Sequence, residues 1–204
     1  LEPLQIGFEF TDDHGPRIMN PIRDAAQVDG IPERIDAAGS LSYVMDAIRT
    51  TRKELEVPLI GFAGAPFTLA SYAIEGGGSK NYYEAKKLML GDQGLWNAFM
   101  SKLSTAIADY LIAQIDAGAQ AVQLFDSWIG CLSPADYRRY VLPHSKAIFD
   151  KLPKDTPAIH FGTGNPELYP AMKEAGGDVI GIDWRTSIAD AWSVLGDEVG
   201  LQAN

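Results

Sequence analysis

The sequence predicts an α/β fold built around a parallel sheet. Three observations support this prediction: short apolar runs of strand length recur along the chain, longer segments of helical period separate them, and each run is followed by glycine or polar residues. Regular alternation of strands and helices is typical of parallel sheets, because a connecting helix must return the chain to the same end of the sheet. The apolar runs are 57–63, 121–125, 157–161 and 179–182.

The four runs lack the alternation of apolar and polar residues that marks a half-exposed strand. Residues 179–182, for example, read Val-Ile-Gly-Ile without interruption. Continuous apolar runs of this length suit strands that are covered on both faces. We therefore expect all four runs to be buried within the sheet.

The segments between the runs carry helix signals. Residues 40–54 place apolar side chains on one stripe, and residues 93–114 do so at spacings of three and four. Ser133, Asn165 and Ser187 each precede such a segment, with an acidic residue in the first turn. This arrangement is typical of helix N-caps. We predict helices that begin directly after these residues.

Two architectures fit this alternation, a doubly wound sheet and a (β/α)8 barrel. The turn at 61–66 does not match the G-x-G-x-x-G fingerprint of dinucleotide-binding sheets. The glycine cluster 76–78 precedes a lysine but lacks the spacing of a phosphate-binding P-loop. Neither segment supports a nucleotide site, and the residues alone leave both architectures open.

Composition argues against several classes of protein. The chain has 27 acidic and 17 basic residues, a net charge of −10, which does not suit a surface for nucleic acid or anionic lipid. No stretch reaches the ~18 uninterrupted apolar residues of a membrane span. The single cysteine, Cys131, excludes an internal disulfide framework and a multi-cysteine metal site. These features, with an N-terminus unlike a signal peptide, favour a cytoplasmic location.

Polar residues follow the ends of the apolar runs. Residues 126–128 follow the second run, residues 183–185 follow the fourth, and His160 lies one step before the end of the third. Parallel strands end at one edge of a sheet, where ligands bind. Singly, each residue also has a structural interpretation as a turn cap, an ion-pair partner or a core side chain. Together they predict the rim of a binding site: Asp126, Trp128, His160, Asp183, Trp184 and Arg185.

Several blocks of the sequence resemble the uroporphyrinogen decarboxylase family. They are GFAGAPFTLASY at 61–72 with EGGGS at 75–79, QLFDSW at 123–128, HFGTG at 160–164 and GIDWR at 181–185. The resemblance implies a cofactor-free (β/α)8 enzyme of haem and tetrapyrrole biosynthesis. Such an enzyme removes carbon dioxide from the four acetate side chains of uroporphyrinogen and gives coproporphyrinogen. It further implies that the enzyme is a homodimer. The molecule it binds would be the tetrapyrrole substrate.

The resemblance also assigns residues. It implies that Tyr72 and Ser127 contact the substrate, and it assigns no catalytic residue to this chain. The family's arginine-rich block and the aspartate with the central catalytic role precede the matched part. By this alignment residues 1–204 form one partial domain, an incomplete barrel of strands three to six plus the start of the seventh. We expect this portion alone to be inactive.

Two alternatives stay open. Zinc- and corrinoid-dependent methyltransferases of the same superfamily use a His-x-Cys motif late in the barrel. The comparable stretch here reads His160-Phe161-Gly162, and Cys131 lies on another loop, so we predict no metal site. The other alternative is a non-catalytic α/β fragment.

Overall fold

A computed structural model of the chain describes residues 1–11 and 15–203. The chain begins with an antiparallel hairpin of β1 (Phe8–Thr11) and β2 (Gly15–Ile18). A parallel five-stranded sheet follows, in the order β3-β4-β5-β6-β7. Its strands are β3 (Ile60–Gly64), β4 (Ala121–Asp126), β5 (Ala158–Gly162), β6 (Val179–Gly181) and β7 (Gly200–Gln202).

The order of the strands identifies the architecture. Each strand lies beside the next one in the sequence, so the sheet never reverses direction as a doubly wound sheet does at its switch point. The sheet is therefore of the (β/α)8 barrel type. The barrel is incomplete, because within the described residues β3 and β7 each pair with a strand on one side alone. The four predicted runs and the predicted start of a further strand are confirmed as β3 to β7.

Helices occupy every connection between the strands of the sheet. The helices are α1 (Ala25–Asp29), α2 (Ala37–Ser40), α3 (Ser42–Glu54), α4 (Pro66–Glu75), α5 (Tyr83–Gly91), α6 (Gln93–Asp116), α7 (Pro134–Tyr140), α8 (Leu142–Phe149), α9 (Tyr169–Ala175) and α10 (Ile188–Leu195). The connection from β3 to β4 is the longest and contains α4, α5 and α6. This connection carries Thr68, Tyr72 and Tyr82 of the candidate site.

The predicted N-caps are confirmed. Ser133 and Ser187 begin α7 and α10, and each hydroxyl oxygen accepts a hydrogen bond from a backbone N–H three residues later, over 3.1 Å. Asn165 accepts a bond from the Glu167 N–H, but it begins a short 3-10 helix that leads into α9. The antiparallel hairpin was not predicted, because each of its strands is only 4 residues long.

The two faces of the sheet differ in burial. Val122, Leu124, His160 and Ile180 point toward the helices and are buried. On the opposite face Phe62 is 60% exposed, so the expectation that the first run is buried on both faces is wrong for β3. The reason is the open sheet, since in residues 1–11 and 15–203 no helix covers the face that a closed barrel would turn inward.

A glutamine side chain protects the outer edge of β3. Gln114 of α6 accepts a hydrogen bond from the Phe62 N–H and donates one to the Phe62 carbonyl oxygen, both over 2.9 Å. These backbone groups point away from β4 and otherwise need a neighbouring strand. The side chain passes over Gly61, where an added Cβ would lie 2.7 Å from the Gln114 Oε1. Gly61 therefore permits this close approach.

Among the described residues, none of the helices combines the length and the apolar character needed to cross a membrane.

Candidate functional site

The loops after the parallel strands meet at the carboxyl edge of the sheet. Tyr72, on α4 after β3, stacks on Trp128, which follows β4. The ring centroids are 3.9 Å apart and the ring planes differ by 24°. Ser127, the other predicted substrate contact, is the residue immediately before Trp128. The geometry therefore brings α4 and the turn after β4 together.

Ser127 is exposed, and its backbone is held from the next loop. The Thr163 hydroxyl, after β5, donates a hydrogen bond to the Ser127 carbonyl oxygen over 2.7 Å. Within residues 1–11 and 15–203, the Ser127 and Tyr72 hydroxyls make no hydrogen bond to protein. A hydroxyl both donates and accepts, so these two groups are free to bind an acidic or neutral ligand.

Asp126 is buried rather than exposed at the rim. It is the last residue of β4, and its Oδ1 accepts a hydrogen bond from the Thr68 hydroxyl over 2.9 Å. Burial raises the pKa of Asp126 from 3.8 to about 7, and the bond from Thr68 offsets only part of that effect. The carboxyl group is therefore substantially protonated near neutral pH.

Close backbone packing joins the loops after β4 and β5. A Cβ added at Gly130 would overlap the carbonyl oxygen of Thr163 and lie 2.9 Å from the Cα of Gly164. Asn165 adds a hydrogen bond, over 3.0 Å, from its side-chain amide to the carbonyl oxygen of Leu132. The two loops thus form one rigid segment of the rim.

Asp183 connects the loop after β6 to the same rim. Its Oδ2 accepts hydrogen bonds from the Gly164 N–H over 2.8 Å and from the Arg185 guanidinium over 2.6 Å. Its Oδ1 accepts a bond from the Arg185 N–H over 2.9 Å. Burial alone would raise the pKa of Asp183, but these bonds outweigh it and hold the pKa below its ordinary value. The charged carboxylate of Asp183 thus joins the loop after β6 to the loop after β5.

Arg185 and Trp184 lie at the surface of the rim. The guanidinium carbon of Arg185 lies 4.6 Å from the ring centroid of Trp184, and the Trp184 side chain is 75% exposed. Because Arg185 already pairs with Asp183, part of its charge is compensated within the protein. The exposed indole offers a flat apolar surface to a ligand.

His160 does not join this group. Its ring points toward the helices, where Nδ1 lies 3.2 Å from the Met172 carbonyl oxygen and the ring packs on Phe149. Burial lowers the pKa of His160 to about 4, against a smaller opposite effect of backbone hydrogen bonds. The structure therefore places His160 in the core, between the sheet and α8 and α9.

Sequence reasoning missed three features of the site. Thr68 bonds to Asp126, and Tyr82 packs on Trp128 with ring centroids 5.2 Å apart. Tyr82 adopts a left-handed backbone conformation with φ 54°, which residue type does not indicate. The third feature is a row of edge-to-face rings across β3, β4 and β5, formed by Phe62, Phe125 and Phe161.

The next feature is the arrangement of side chains that could bind a metal in the described part of the chain. No three His, Cys, Asp or Glu side chains lie close enough there to hold an ion together. Cys131 is partly buried, and burial raises the pKa of its thiol.

Comparison with known sequences identifies the family of the chain. The family model described as uroporphyrinogen decarboxylase (URO-D) matches residues 1–204. A uroporphyrinogen decarboxylase of Carboxydothermus hydrogenoformans is 51% identical over 100% of this chain and 59% of its own length. One from Thermus thermophilus is 48% identical over 96% of this chain and 58% of its own length. The chain thus spans about 59% of the length of the curated relatives it matches.

Comparison with solved structures supports the fold. A methyltransferase from Methanosarcina mazei superposes with a TM-score of 0.71, covering 99% of this chain and 60% of its own, at 14% sequence identity. A putative vitamin-B12 independent methionine synthase from Listeria monocytogenes superposes with a TM-score of 0.57 over 78% of this chain and 50% of its own, at 13% identity. At such low identity the likeness concerns the fold alone.

Proposed function

The chain belongs to the uroporphyrinogen decarboxylase family, and we propose that the complete protein removes carbon dioxide from the four acetate side chains of uroporphyrinogen. The product is coproporphyrinogen, and the reaction belongs to haem and tetrapyrrole biosynthesis. The observation that supports this most is the meeting of Tyr72 and the Ser127–Trp128 turn at the carboxyl edge of an incomplete barrel.

The reaction needs a place for the electrons of the broken C–C bond. Protonation of the pyrrole ring makes a cationic electron sink, so no cofactor is needed for this step. A carboxylate facing the pyrrole nitrogens stabilises that cation, and the electron pair of the broken C–C bond passes into the ring as carbon dioxide leaves, which gives an exocyclic methylene group. A general acid then protonates the methylene carbon to give the methyl group, and the ring releases the proton it had gained. Asp126 and Asp183 are both engaged in hydrogen bonds within the protein. From the resemblance to the family, we propose that the catalytic aspartate lies in the segment that precedes the matched part.

The substrate's carboxylate arms match the free hydroxyls of the rim. Tyr72 and Ser127 each offer a donor at the edge where α4 meets the turn after β4. Hydrogen bonds from these hydroxyls orient an acetate or propionate arm and so reduce the entropy lost on the way to the transition state. Trp184 and Arg185 extend the rim on the far side of β5, and we propose that they contact the same macrocycle.

The apolar face of the sheet suits the macrocycle itself. The rings of Phe62, Phe125 and Phe161 form a continuous row below the rim, with neighbouring centroids 5.7 and 5.3 Å apart. A tetrapyrrole has a broad apolar body with charged arms at its periphery. We propose that the body rests above this row while the arms reach the polar rim.

The charge of the substrate sets a further requirement. A polyanion needs several cations, and Arg185 is already paired with Asp183. The net charge of −10 makes a local basic cluster more necessary still. We propose that the arginine-rich block of the family supplies it. We also propose that the complete enzyme is a cytoplasmic homodimer in which residues 1–204 belong to one domain.

The test compares two proteins, the complete gene product and residues 1–204 alone. Each is incubated anaerobically with uroporphyrinogen, and the products are oxidised and separated by their number of carboxylates. We expect the complete protein to release four molecules of carbon dioxide per substrate and residues 1–204 to release none. Failure of the complete protein to decarboxylate uroporphyrinogen would contradict the proposed function.

A further inference from the structure

A buried hydroxyl, that of Thr68, joins the two elements that carry the proposed substrate contacts. Its Oγ1 donates a hydrogen bond to Asp126 Oδ1 over 2.9 Å and accepts one from the Trp128 N–H over 3.2 Å. Thr68 lies one helical turn before Tyr72 on α4, and Ser127 lies between the two residues that bond to it. The position of Ser127 relative to Tyr72 therefore depends on this hydroxyl.

The two hydrogen bonds are directional. A hydroxyl has a single proton to donate. Because the Thr68 hydroxyl donates its hydrogen bond to Asp126, a lone pair of Oγ1 accepts the bond from the Trp128 N–H. Removing the acceptor at Asp126 frees the hydroxyl to rotate, and removing the hydroxyl leaves the Trp128 N–H without its bond.

The carboxyl group of Asp126 is costly to keep at this position. It is fully buried, and its Oδ2 has no hydrogen-bond partner in the described residues. Burying a half-satisfied carboxyl group costs free energy that an apolar side chain of similar size would not. This cost argues that the group does more than fill space.

We propose that Thr68 and Asp126 form a positioning pair that holds the Ser127–Trp128 turn against α4 in the geometry that turnover requires, an inference that rests on the proposed function. Neither residue touches the substrate. Their effect passes through the Trp128 backbone to Ser127, and through the stacked rings to Tyr72. A displacement of about 1 Å at a reacting or orienting group is enough to lower a rate by roughly a hundredfold.

The test uses substitutions at Thr68 in the complete protein. Thr68→Val removes the hydroxyl and keeps the side-chain shape, whereas Thr68→Ser restores the hydroxyl. Thr51→Val, at an exposed position on α3, is the matched control. Asp126→Ala removes the acceptor and serves as a second variant should Thr68→Val not fold. The measurements are kcat and KM for uroporphyrinogen and the rate of amide hydrogen exchange at Trp128.

We expect Thr68→Val to lower kcat/KM by roughly tenfold or more and to speed exchange at Trp128 without speeding it in the core of β4. Thr68→Ser and Thr51→Val should behave like the wild type, and Asp126→Ala like Thr68→Val. Unchanged exchange at Trp128 or a wild-type rate in Thr68→Val overturns the positioning pair. An inactive wild-type enzyme overturns the proposed function instead, and the exchange rates still decide whether Thr68 holds the turn.

Discussion

The phenol ring of Tyr72 lies flat on the indole ring of Trp128, with centroids 3.9 Å apart. This contact spans two strands of the sheet, since Tyr72 follows β3 and Trp128 follows β4. It fixes the plane of the phenol while leaving its hydroxyl free of protein partners in the described residues. The ring and the hydroxyl of Tyr72 can therefore be tested separately.

Two substitutions separate these roles in the complete enzyme. Tyr72→Phe keeps the stacked ring and removes only the hydroxyl. We expect a lower kcat/KM for uroporphyrinogen and an unchanged melting temperature. Tyr72→Ala also removes the stack, worth about 0.5–1.5 kcal/mol beyond the buried area, so both quantities should fall. A wild-type rate in Tyr72→Phe would remove this hydroxyl from the substrate site.

The close packing of the two rim loops makes Gly130 a sensitive position. A methyl group there overlaps the Thr163 carbonyl oxygen, which belongs to the backbone and cannot rotate away. We expect Gly130→Ala to lower the unfolding free energy by about 1–3 kcal/mol and to reduce activity. Gly78→Ala is the control, because a Cβ at Gly78 meets no atom within 4 Å. Equal melting temperatures for the two variants would argue against a rigid rim.

Lys102 is a buried cation that stabilises the end of α1. Its Nζ donates to the carbonyl oxygens of Val28 and Ile31 over 3.1 and 2.6 Å, and its side chain is only 10% exposed. Lys102→Met should remove this donor from both carbonyl groups, of which that of Val28 keeps a bond from the Ile31 N–H over 3.1 Å, and cost about 1–3 kcal/mol. Lys146→Met, which removes an exposed ion pair, should cost less than about 1 kcal/mol. Chemical denaturation measures the unfolding free energy of each variant. Similar losses in the two variants would contradict the stabilising role of Lys102.

Asp126 should make stability depend on pH. Between pH 4 and 7 the unfolded carboxyl group has lost its proton, whereas the folded one, with its pKa raised by burial to about 7, retains it. The folded state thus binds more protons, so this group's contribution to the unfolding free energy falls as pH rises. Asp126→Asn removes the titration.

The variant should therefore gain stability relative to the wild type by about 1.4 kcal/mol per pH unit across that interval. His144 and His160, whose pKa values burial lowers to about 4, have the opposite effect, because their unfolded forms bind the extra proton. Both proteins contain these histidines, so their contribution cancels in the difference. Denaturation at several pH values measures the difference in unfolding free energy between the variant and the wild type. A difference that does not change with pH would contradict a buried, protonated carboxyl group at Asp126.

The strands were predictable because their apolar runs reflect burial, which is a local property of the sequence. Burial on both faces was not predictable for β3. The composition of a run does not indicate which neighbours cover it, and Phe62 faces the open side of an incomplete barrel. The direction of His160 toward the helices had no signal in the residues alone: strand alternation places it on the face opposite to Phe161, but which of the two faces the helices cover is a tertiary property.

The polar connections of the site had no such signal. The bond between Thr68 and Asp126 joins residues 58 positions apart, so it depends on how β3 and β4 pair. The left-handed backbone of Tyr82 depends on its tertiary setting, since this conformation favours glycine and asparagine. The resemblance indicated Tyr72 and Ser127 as substrate contacts, and that role stays a prediction. The ring stack that brings their loops together required coordinates.

The most direct measurement is a crystal structure of the complete protein with coproporphyrinogen bound. We expect carboxylate arms within hydrogen-bonding distance of the Tyr72 hydroxyl and Ser127 Oγ, with the macrocycle above the ring of Phe125. A product molecule bound at another face of the barrel, with both hydroxyls directed away from it, would show that Tyr72 and Ser127 do not bind the substrate.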